Sequence, residues 1–176
     1  APLWVVHRLD RQTSGVMLFA RTAQAHRELN SQFEKRQARK VYHAIVVGSP
    51  AWQEKSITLP LRTNADRKHR TIVDPQQGKS AHTDFSLLED FNGCALVAAR
   101  PRTGRTHQIR AHLAALGLPL AGDSLYGGKE DLFPLGAGGS PLAARLCLHA
   151  WRLALRHPVS SEGLLFTAPV PADLQS

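Results

Sequence analysis

The stretch LWVVHRLDRQTSGVMLFA, residues 3–20, has two apolar runs on either side of a polar elbow that contains Asp10. Because each run is short, apolar and bounded by polar residues, we predict two buried strands that meet at this elbow. Asp10 then lies at a strand end, a common place for a catalytic group. Taken alone, Asp10 also fits a simpler interpretation, in which its side chain bonds its own backbone and stabilises the turn. The rest of the sequence decides between the two.

The composition indicates one basic globular domain. The chain has 176 residues, of which 43% are apolar, enough to form a hydrophobic core. It carries 22 Lys and Arg against 14 Asp and Glu, and the net charge of +8 favours a polyanionic partner, nucleic acid before a membrane. Without a secretory leader or an apolar run long enough to span a bilayer, the sequence is expected to belong to a cytoplasmic protein.

Hydrophobic periodicity predicts most of the secondary structure. We expect a helix from Thr22, its N-cap, to about Arg36, and a strand over residues 40–47. Residues 81–90 and 94–100 are predicted to form a hairpin whose turn contains Asn92-Gly93. Further expected elements are a helix over residues 107–116 with Thr106 as its N-cap, and strands over residues 146–156 and 164–167.

Two segments are predicted to be loops. Residues 62–70, RTNADRKHR, read as part of a mobile basic loop or hairpin that either grips a phosphate backbone or is merely solvated. The Gly-rich residues 135–141 are expected to form a flexible loop. Strands outnumber helices and do not alternate with them regularly. The predicted fold is therefore α+β, a mixed, largely antiparallel sheet with flanking helices and loops.

Three features have the residue types that chemistry needs. Asp10 lies two residues from Arg8, and a guanidinium within about 4–6 Å lowers the pKa of an Asp by about 1–3 units. Arg105, His107 and Arg110 surround a predicted helix N-terminus, where positive side chains oppose the helix dipole and need an anionic partner such as Asp10 or a phosphate. Tyr42 is either a core aromatic with its hydroxyl at the surface or a platform on which a base stacks.

The histidine spacing argues against a metal site. His107 and His112 are five residues apart, a spacing that does not place both imidazoles on one helical face. Cys94 and Cys147 lie far apart in apolar segments; we expect buried free thiols, and the sequence leaves a disulfide open. The side chains that could ligate a metal are His107, His112, Asp123, His149 and His157.

Four motifs, in order, resemble those of one enzyme family. HRLDRQTSG at residues 7–15 is similar to the HRLDxxTSG signature of the RluA-type RNA pseudouridine synthases. TGRTHQIRAH at residues 103–112 resembles their second signature, followed by the glycines and Tyr126 at family-like spacing. KVYHA at residues 40–44 resembles the family's tyrosine strand, and LHA at 148–150 with His157-Pro158 resembles its closing motif.

The resemblance implies an isomerase that converts uridine in rRNA or tRNA to pseudouridine, without a metal or an organic cofactor. It implies that Asp10 is the nucleophile, that Tyr42 stacks on the base and assists a proton transfer, and that Arg105 pairs with Asp10. Arg8 would help to hold the target base out of its RNA stack. Whether Asp10 attacks the ribose or the uracil ring stays open at this point.

The resemblance also implies an RNA-binding surface and a domain layout. Residues 1–176 are expected to be a single catalytic domain that lacks the N-terminal segment usual in the family, acting as a monomer without a protein partner. A noncatalytic RNA-binding module on the same fold is the alternative function, and a metal-dependent hydrolase is the weakest. The residues expected to contact RNA are Arg8, His7, Thr13, Arg67, Lys68, Arg70, Arg102, His107 and Arg110.

Overall fold

The computed structural model describes residues 2–127 and 145–174 of the chain. The two helices are α1 (Ala23–Glu34) and α2 (Gln108–Ala115), and a short 3₁₀ helix follows at Ala172–Leu174. The strands are β1 Trp4–Val5, β2 Ser14–Gly15, β3 Phe19–Ala20, β4 Arg39–Val47, β5 Glu54–Thr58, β6 Leu61–Arg62, β7 Ile72–Val73, β8 His82–Asp90, β9 Cys94–Pro101, β10 Leu148–Arg156 and β11 Gly163–Thr167.

One seven-stranded sheet forms the body of this described part. Its strand order is β11-β10-β4-β9-β8-β5, with every neighbouring pair antiparallel, while β2 pairs with β10 in parallel. Two further pairs, β1 with β3 and β6 with β7, lie outside this sheet. The predicted mixed, largely antiparallel α+β fold is confirmed.

The central strand β4 divides its side chains between the two faces of the sheet. Because successive strand residues point to opposite faces, Lys40 and Tyr42 share a face with Ala44 and Val46. Ala44 and Val46 belong to the main core cluster, together with Ile109 and Leu113 of α2. The face that carries Tyr42 is therefore the face against which α2 packs.

A bulge in β10 lets the other helix use the same face. The register between β10 and β4 shifts between Ala150 and Arg152, so that Leu153 lies opposite Lys40. Such a bulge adds one residue and resets the alternation of side chains. Leu153 packs in a second cluster with Leu29 of α1. Both helices thus cover one side of the sheet, and the end of β4 that carries Lys40 and Tyr42 lies between them.

The predicted first helix and the central hairpin are confirmed. Thr22 is the N-cap of α1, and its hydroxyl accepts the Ala25 N–H at 3.1 Å. In the β8–β9 hairpin, Asn92 and Gly93 have φ angles of 59° and 119°, the two positive values that a type I′ turn requires. The final strands also form, with β10 starting at Leu148 and β11 at Gly163.

The N-cap predicted for α2 was wrong. The residue before the helix is His107, in the left-handed region with φ 53°, and it makes no capping side-chain bond. Thr106 instead uses its carbonyl oxygen, which accepts the Thr71 hydroxyl at 2.9 Å. The turn is organised by Gln108, whose side-chain oxygen accepts the Arg105 N–H at 3.0 Å, a device that a capping rule based on Ser, Thr, Asp or Asn does not anticipate.

The two apolar runs at the N-terminus do not form the buried strands expected of them. Only Trp4–Val5 and Phe19–Ala20 pair with each other, and Leu3 and Val5 are 66% and 57% exposed. The reason is that this pair lies beside α1 and outside the main sheet. The segment between them supplies β2, which joins the main sheet through β10.

Residues 51–78, which include the predicted basic loop or hairpin, contain an edge strand and a small hairpin. Glu54–Thr58 is an edge strand of the main sheet, and β6 and β7 form a small hairpin. The edge strand was missed because Ile57 is its only buried residue, so its alternation is weak. The polar residues are held by ion pairs, Arg62 with Asp74 at 2.7 Å and Arg70 with Asp66 at 2.6 Å.

The remaining expectations have mixed outcomes. Cys94 and Cys147 are both buried thiols, as expected, and no disulfide joins them. The predicted flexible loop at residues 135–141 lies outside the described residues. Among the helices of the described part, none is long and apolar enough to cross a membrane.

Candidate active site

A polar cleft of about 150 Å³ opens between the elbow and the N-terminal end of α2. Its floor is the Tyr42 end of β4, and one wall is the elbow around Asp10. The opposite wall is the turn over residues 103–107 that precedes α2. The cleft brings together Asp10 and Arg105, which belong to the two signature motifs and are 95 residues apart in the sequence.

The elbow holds Asp10 through its backbone and leaves the carboxylate to other partners. The Asp10 carbonyl oxygen accepts the Thr13 N–H at 2.9 Å, which closes the turn. Gly15 then runs against β10 so closely that a Cβ would lie 2.2 Å from the Ala150 carbonyl oxygen, and its φ is +123°. Ser14 bonds His149 of β10 at 2.9 Å. The turn-capping interpretation of the Asp10 side chain is therefore unnecessary.

The Asp10 carboxylate faces a cation that is itself held in place. Arg110 Nη1 lies 3.4 Å from Asp10 Oδ2, and the two side chains are 10% and 19% exposed. The same guanidinium donates from Nε and Nη2 to the two oxygens of Asp123 at 2.8 and 2.9 Å. Asp123 is only 1% exposed in its side chain. A bidentate pair of this kind fixes the plane of the guanidinium as well as its charge.

Burial and charge act in opposite directions on Arg110. Burial alone would lower the pKa of its guanidinium, but the hydrogen bonds to Asp123 and the negative charges of Asp123 and Asp10 raise that pKa above its ordinary value. Arg110 therefore stays a cation. Asp10 and Asp123 are the anionic partners that the basic side chains at this helix N-terminus were expected to need.

The pairing expected between Arg105 and Asp10 is not the one that forms. Arg105 lines the same cleft, but its Nε donates to the Ser80 carbonyl oxygen at 3.2 Å. Arg110, for which the sequence predicted either RNA or an anion such as Asp10 as the partner, is the ion-pair partner of Asp10. The physical reason is the helix: Arg110 lies in the first turn of α2, where Asp123 fixes its guanidinium beside Asp10.

Gln108 is the buried scaffold of the turn that carries Arg105. Its side-chain oxygen accepts the Thr103 hydroxyl at 2.6 Å and the Arg105 N–H at 3.0 Å. Its amide nitrogen donates to the His82 carbonyl oxygen and to the Thr83 hydroxyl, both at 3.0 Å. All four bonding positions of the amide are therefore used, which holds the turn rigidly against β8.

Tyr42 forms the floor of the cleft as a neutral phenol. Burial, and then the negative charge of Asp10, raises the pKa of its hydroxyl to about 12. The hydroxyl is therefore protonated throughout the physiological range. The aromatic ring is available as an apolar surface below the cleft, on the same face of β4 as the core residue Ala44.

His107 links the cleft to the basic hairpin of residues 61–73. The Tyr126 hydroxyl oxygen accepts the Thr71 N–H at 2.7 Å and lies 3.1 Å from His107 Nδ1, to which its O–H can donate. Burial and then the charge of Arg110 lower the pKa of His107, so the ring is a neutral acceptor. The segment that holds Arg67, Lys68 and Arg70 is thus anchored at its end to the N-terminal turn of α2.

A second cavity, of about 490 Å³, continues from the first toward α1. Arg8, Tyr42 and Arg105 are among the residues that line both cavities. Arg102 and His7 line only the second, and Arg102 also pairs with Asp84 at 2.6 Å. The residues expected to contact RNA that line neither cavity are Arg67, Lys68, Arg70 and Arg110.

His7 has a structural role in addition to its position at the second cavity. Its Nε2 accepts the Leu18 N–H at 3.1 Å, and its ring stacks on Phe33 of α1 with centroids 5.0 Å apart. Burial, and then the charge of Lys40, lowers the pKa of His7. A neutral ring is also what the accepted hydrogen bond requires, so His7 ties the elbow to the rest of the domain.

Thr13 has an unusual hydroxyl. Among the described residues, its Oγ1 is the one buried side-chain polar atom without a hydrogen-bond partner, and Thr13 lines the first cavity. A buried hydroxyl of this kind normally has a partner. Its place beside the cleft makes it available to a ligand there.

The histidines considered for a metal have other partners. His112 is bonded to the Thr83 hydroxyl at 2.9 Å, and His149 to the Ser14 hydroxyl at the same distance. Asp123 is used by Arg110. Within residues 2–127 and 145–174, no three His, Cys, Asp or Glu side chains converge as a possible metal site.

Two functional positions were missed by sequence reasoning. Gln108 was recognised only as part of a motif, and Asp123 only as part of a motif and as a possible metal ligand, although they fix the turn and Arg110 respectively. The available signal was weak: a Gln and an Asp among apolar residues are expected to be bonded if buried, but the sequence does not show to which groups.

The chain resembles known proteins over nearly its whole length. A family model described as RNA pseudouridylate synthase matches residues 1–115. A dual-specificity RNA pseudouridine synthase RluA from Pasteurella multocida is 40% identical over 164 residues, which is 93% of this chain and 71% of that protein. An uncharacterized RNA pseudouridine synthase from Chloroflexus aurantiacus is 42% identical over 171 residues, 97% of this chain and 51% of that protein.

The chain is also similar to a protein named for the ribosomal large subunit and to a solved human structure. Ribosomal large subunit pseudouridine synthase D from Nitrosomonas europaea is 39% identical over 171 residues. This chain spans 48% of that protein, about half its length. The structure of human RNA pseudouridylate synthase domain containing 1 superposes with a TM-score of 0.79 and 29% identity, covering 97% of this chain and 70% of the human one.

Proposed function

The chain belongs to the RNA pseudouridylate synthase family, and from this premise we propose that it isomerises uridine in RNA to pseudouridine with Asp10 as its nucleophile. The single observation that carries the proposal is the cleft: a carboxylate of 19% exposure faces a fixed guanidinium, above an aromatic floor. In this arrangement the carboxylate lies beside a positive charge, at a site where little water competes with a substrate for it.

The reaction needs no external group. The C1′–N1 glycosidic bond of uridine breaks, the uracil rotates, and a C1′–C5 bond forms in its place. The hydrogen on C5 leaves as a proton and N1 gains a proton, so atoms and charges balance without an oxidant or a second substrate. Asp10 supplies the nucleophilic carboxylate, and Arg110 stabilises its negative charge before attack and after release.

Tyr42 supports this reaction as a stacking surface and a neutral hydrogen-bonding group. A general base at this position would have to lose its proton, which the pKa of about 12 opposes at neutral pH. A base stacked on an aromatic ring gains about 1–3 kcal/mol. That gain offsets part of the few kcal/mol that it costs to take the base out of its RNA stack.

The basic surface supports RNA as the substrate. Arg8 lies at the junction of the two cavities, and Arg102 and His7 line the larger one, where an RNA strand next to the target can run. We propose rRNA or tRNA as the RNA, and the name of the Nitrosomonas relative supports the first. We also propose that the protein acts in the cytoplasm, and that it acts as a monomer, because residues of a single chain line the cleft.

The test uses rRNA and tRNA from a strain that lacks the gene. The purified protein should raise the pseudouridine content of this RNA, measured by nucleoside chromatography, and Asp10→Asn should abolish the increase while RNA binding persists. Asp90→Asn is the matched control, because Asp90 lies in the β8–β9 turn away from the cleft and should leave conversion unchanged. RNA binding by the wild-type protein with no pseudouridine formed would indicate a noncatalytic RNA-binding module instead.

A further inference from the structure

Lys40 lies at the junction of the two cavities, and its ammonium has no bonding partner among the interactions described so far. It is on β4 two residues before Tyr42, so both side chains point to the face that carries the cleft. It lines both cavities. Its ammonium makes no hydrogen bond or ion pair with any residue that the structure describes.

The surroundings of Lys40 are cationic. Arg8 and Arg105 line the same junction, and the charge of Lys40 is felt by His7, whose pKa it lowers. Burial lowers the pKa of Lys40 itself, so the ammonium lies in a poorly solvated place. Of the carboxylates that line these cavities, Asp10 pairs with Arg110 and Glu34 lies beyond ion-pair distance. A cluster of like charges without a counter-ion is a site for an anion.

Gly104 leaves room for that anion. Its φ is not in the positive region, so the backbone does not require glycine at this position. A Cβ added to Gly104 would lie 3.7 Å from Lys40 Nζ, which means that the missing side chain leaves space beside the ammonium. Gly104 also lines both cavities. The space and the charge are therefore at the same point.

We propose that Lys40 and the open backbone at Gly104 form a phosphate site, which binds a phosphodiester of the RNA strand next to the target uridine. The site rests on the proposed function, because a uridine placed over Tyr42 must continue its strand through this junction into the larger cavity. Lysine suits this role, since its ammonium binds phosphate as a point charge with three donors.

The first experiment measures the salt dependence of RNA binding. Fluorescently labelled bulk tRNA is titrated with the protein between about 50 and 200 mM KCl, a range over which each phosphate contact contributes a slope of about 0.7–0.9 in log affinity against log salt. Lys40→Gln should weaken binding about tenfold at the lower salt and reduce the slope by about one contact. Lys55→Gln, an exposed lysine on the edge strand of the same sheet, is the matched control and should change neither quantity.

The second experiment separates phosphate binding from a role in the reaction. In steady-state conversion, Lys40→Gln should raise KM about tenfold and leave kcat within about twofold, and Lys40→Arg should restore KM because it restores the charge. Gly104→Ala should raise KM with no change in melting temperature, since its Cβ makes only an ordinary contact.

Specific outcomes would overturn the phosphate site. These are an unchanged salt slope for Lys40→Gln, equal effects of Lys40→Gln and Lys55→Gln, or a loss of kcat at constant KM. The wild-type protein could also bind tRNA with the expected salt dependence but form no pseudouridine. This result would contradict the proposed function and leave the phosphate site testable, because the tRNA affinities of Lys40→Gln and Lys55→Gln can still be compared.

Discussion

Replacing Asp123 with asparagine tests whether the guanidinium beside Asp10 is held by a buried ion pair. The Asp123 side chain is 1% exposed and that of Arg110 is 10% exposed, and two bonds of 2.8 and 2.9 Å join them. Asn has nearly the same shape but no charge, and its amide nitrogen would face an N–H donor. The variant therefore leaves a buried cation with one anionic partner, Asp10 at 3.4 Å.

The expected loss of stability follows from that burial. Breaking a buried ion pair by removing one charge costs about 3–5 kcal/mol. Because Asp10 still partly neutralises Arg110, we expect the lower end, about 3 kcal/mol. For a chain of this length, each kcal/mol shifts the melting temperature by about 2–4 °C, so the melting temperature should fall by about 6–12 °C.

The assay is urea and thermal unfolding followed by circular dichroism, with Asp84→Asn as the comparison. Asp84 also pairs with an arginine, Arg102 at 2.6 Å, but these side chains are 24% and 67% exposed. A pair this exposed contributes about 1 kcal/mol or less. If Asp123→Asn and Asp84→Asn lower the midpoint equally at the same m-value, the buried pair does not have the role assigned to it.

Three further predictions concern acid stability, the elbow and the floor of the cleft. Burial lowers the pKa of four histidines below 6.5, namely His7, His43, His107 and His112. As the pH falls, the unfolded chain therefore binds protons before the folded one does, so the free energy of unfolding should be full above about pH 6.5 and decrease below it. Urea midpoints that stay constant down to about pH 5 would contradict this. Gly15→Ala should lower the free energy of unfolding in urea by more than about 3 kcal/mol, because the new Cβ would lie 2.2 Å from the Ala150 carbonyl oxygen. Gly93 has a similar φ but open space around it, so Gly93→Ala should cost only about 1 kcal/mol. Equal costs for the two variants would refute the close approach at Gly15. Tyr42→Leu should weaken RNA binding by about 1–3 kcal/mol in anisotropy titrations and Tyr42→Phe should not, so equal losses would argue against stacking.

Much of the fold could be predicted because its signals are local. The Thr22 cap, the Asn92-Gly93 turn and the apolar run of β4 each depend on a few neighbouring residues, and each was confirmed. The expectations failed where tertiary contacts decide. The apolar residues Leu3 and Val5 stay exposed because their strand pairs outside the main sheet, and Ile57 is buried in an edge strand that has little alternation.

The site shows the same division. Motif resemblance pointed to Asp10, Tyr42 and Arg105, which line one cleft. It could not show that Arg110 is the ion-pair partner of Asp10, because that depends on Asp123, thirteen residues further along the chain and folded back on α2. The sequence could not distinguish Lys40 from the neighbouring basic residues Arg36 and Arg39. Only the packing shows that Lys40 faces the cleft, while Arg39 is exposed on the other face of the sheet.

The most direct test of the central claim follows the hydrogen on C5 of uridine. Formation of the C1′–C5 bond releases that hydrogen, so RNA made with tritium at C5 of uridine should lose label to water when the wild-type protein is added. With Asp10→Asn the release should fall to the level without protein, while Asp90→Asn should match the wild type. Release of tritium by Asp10→Asn at the wild-type rate would contradict the assignment of Asp10 as the nucleophile.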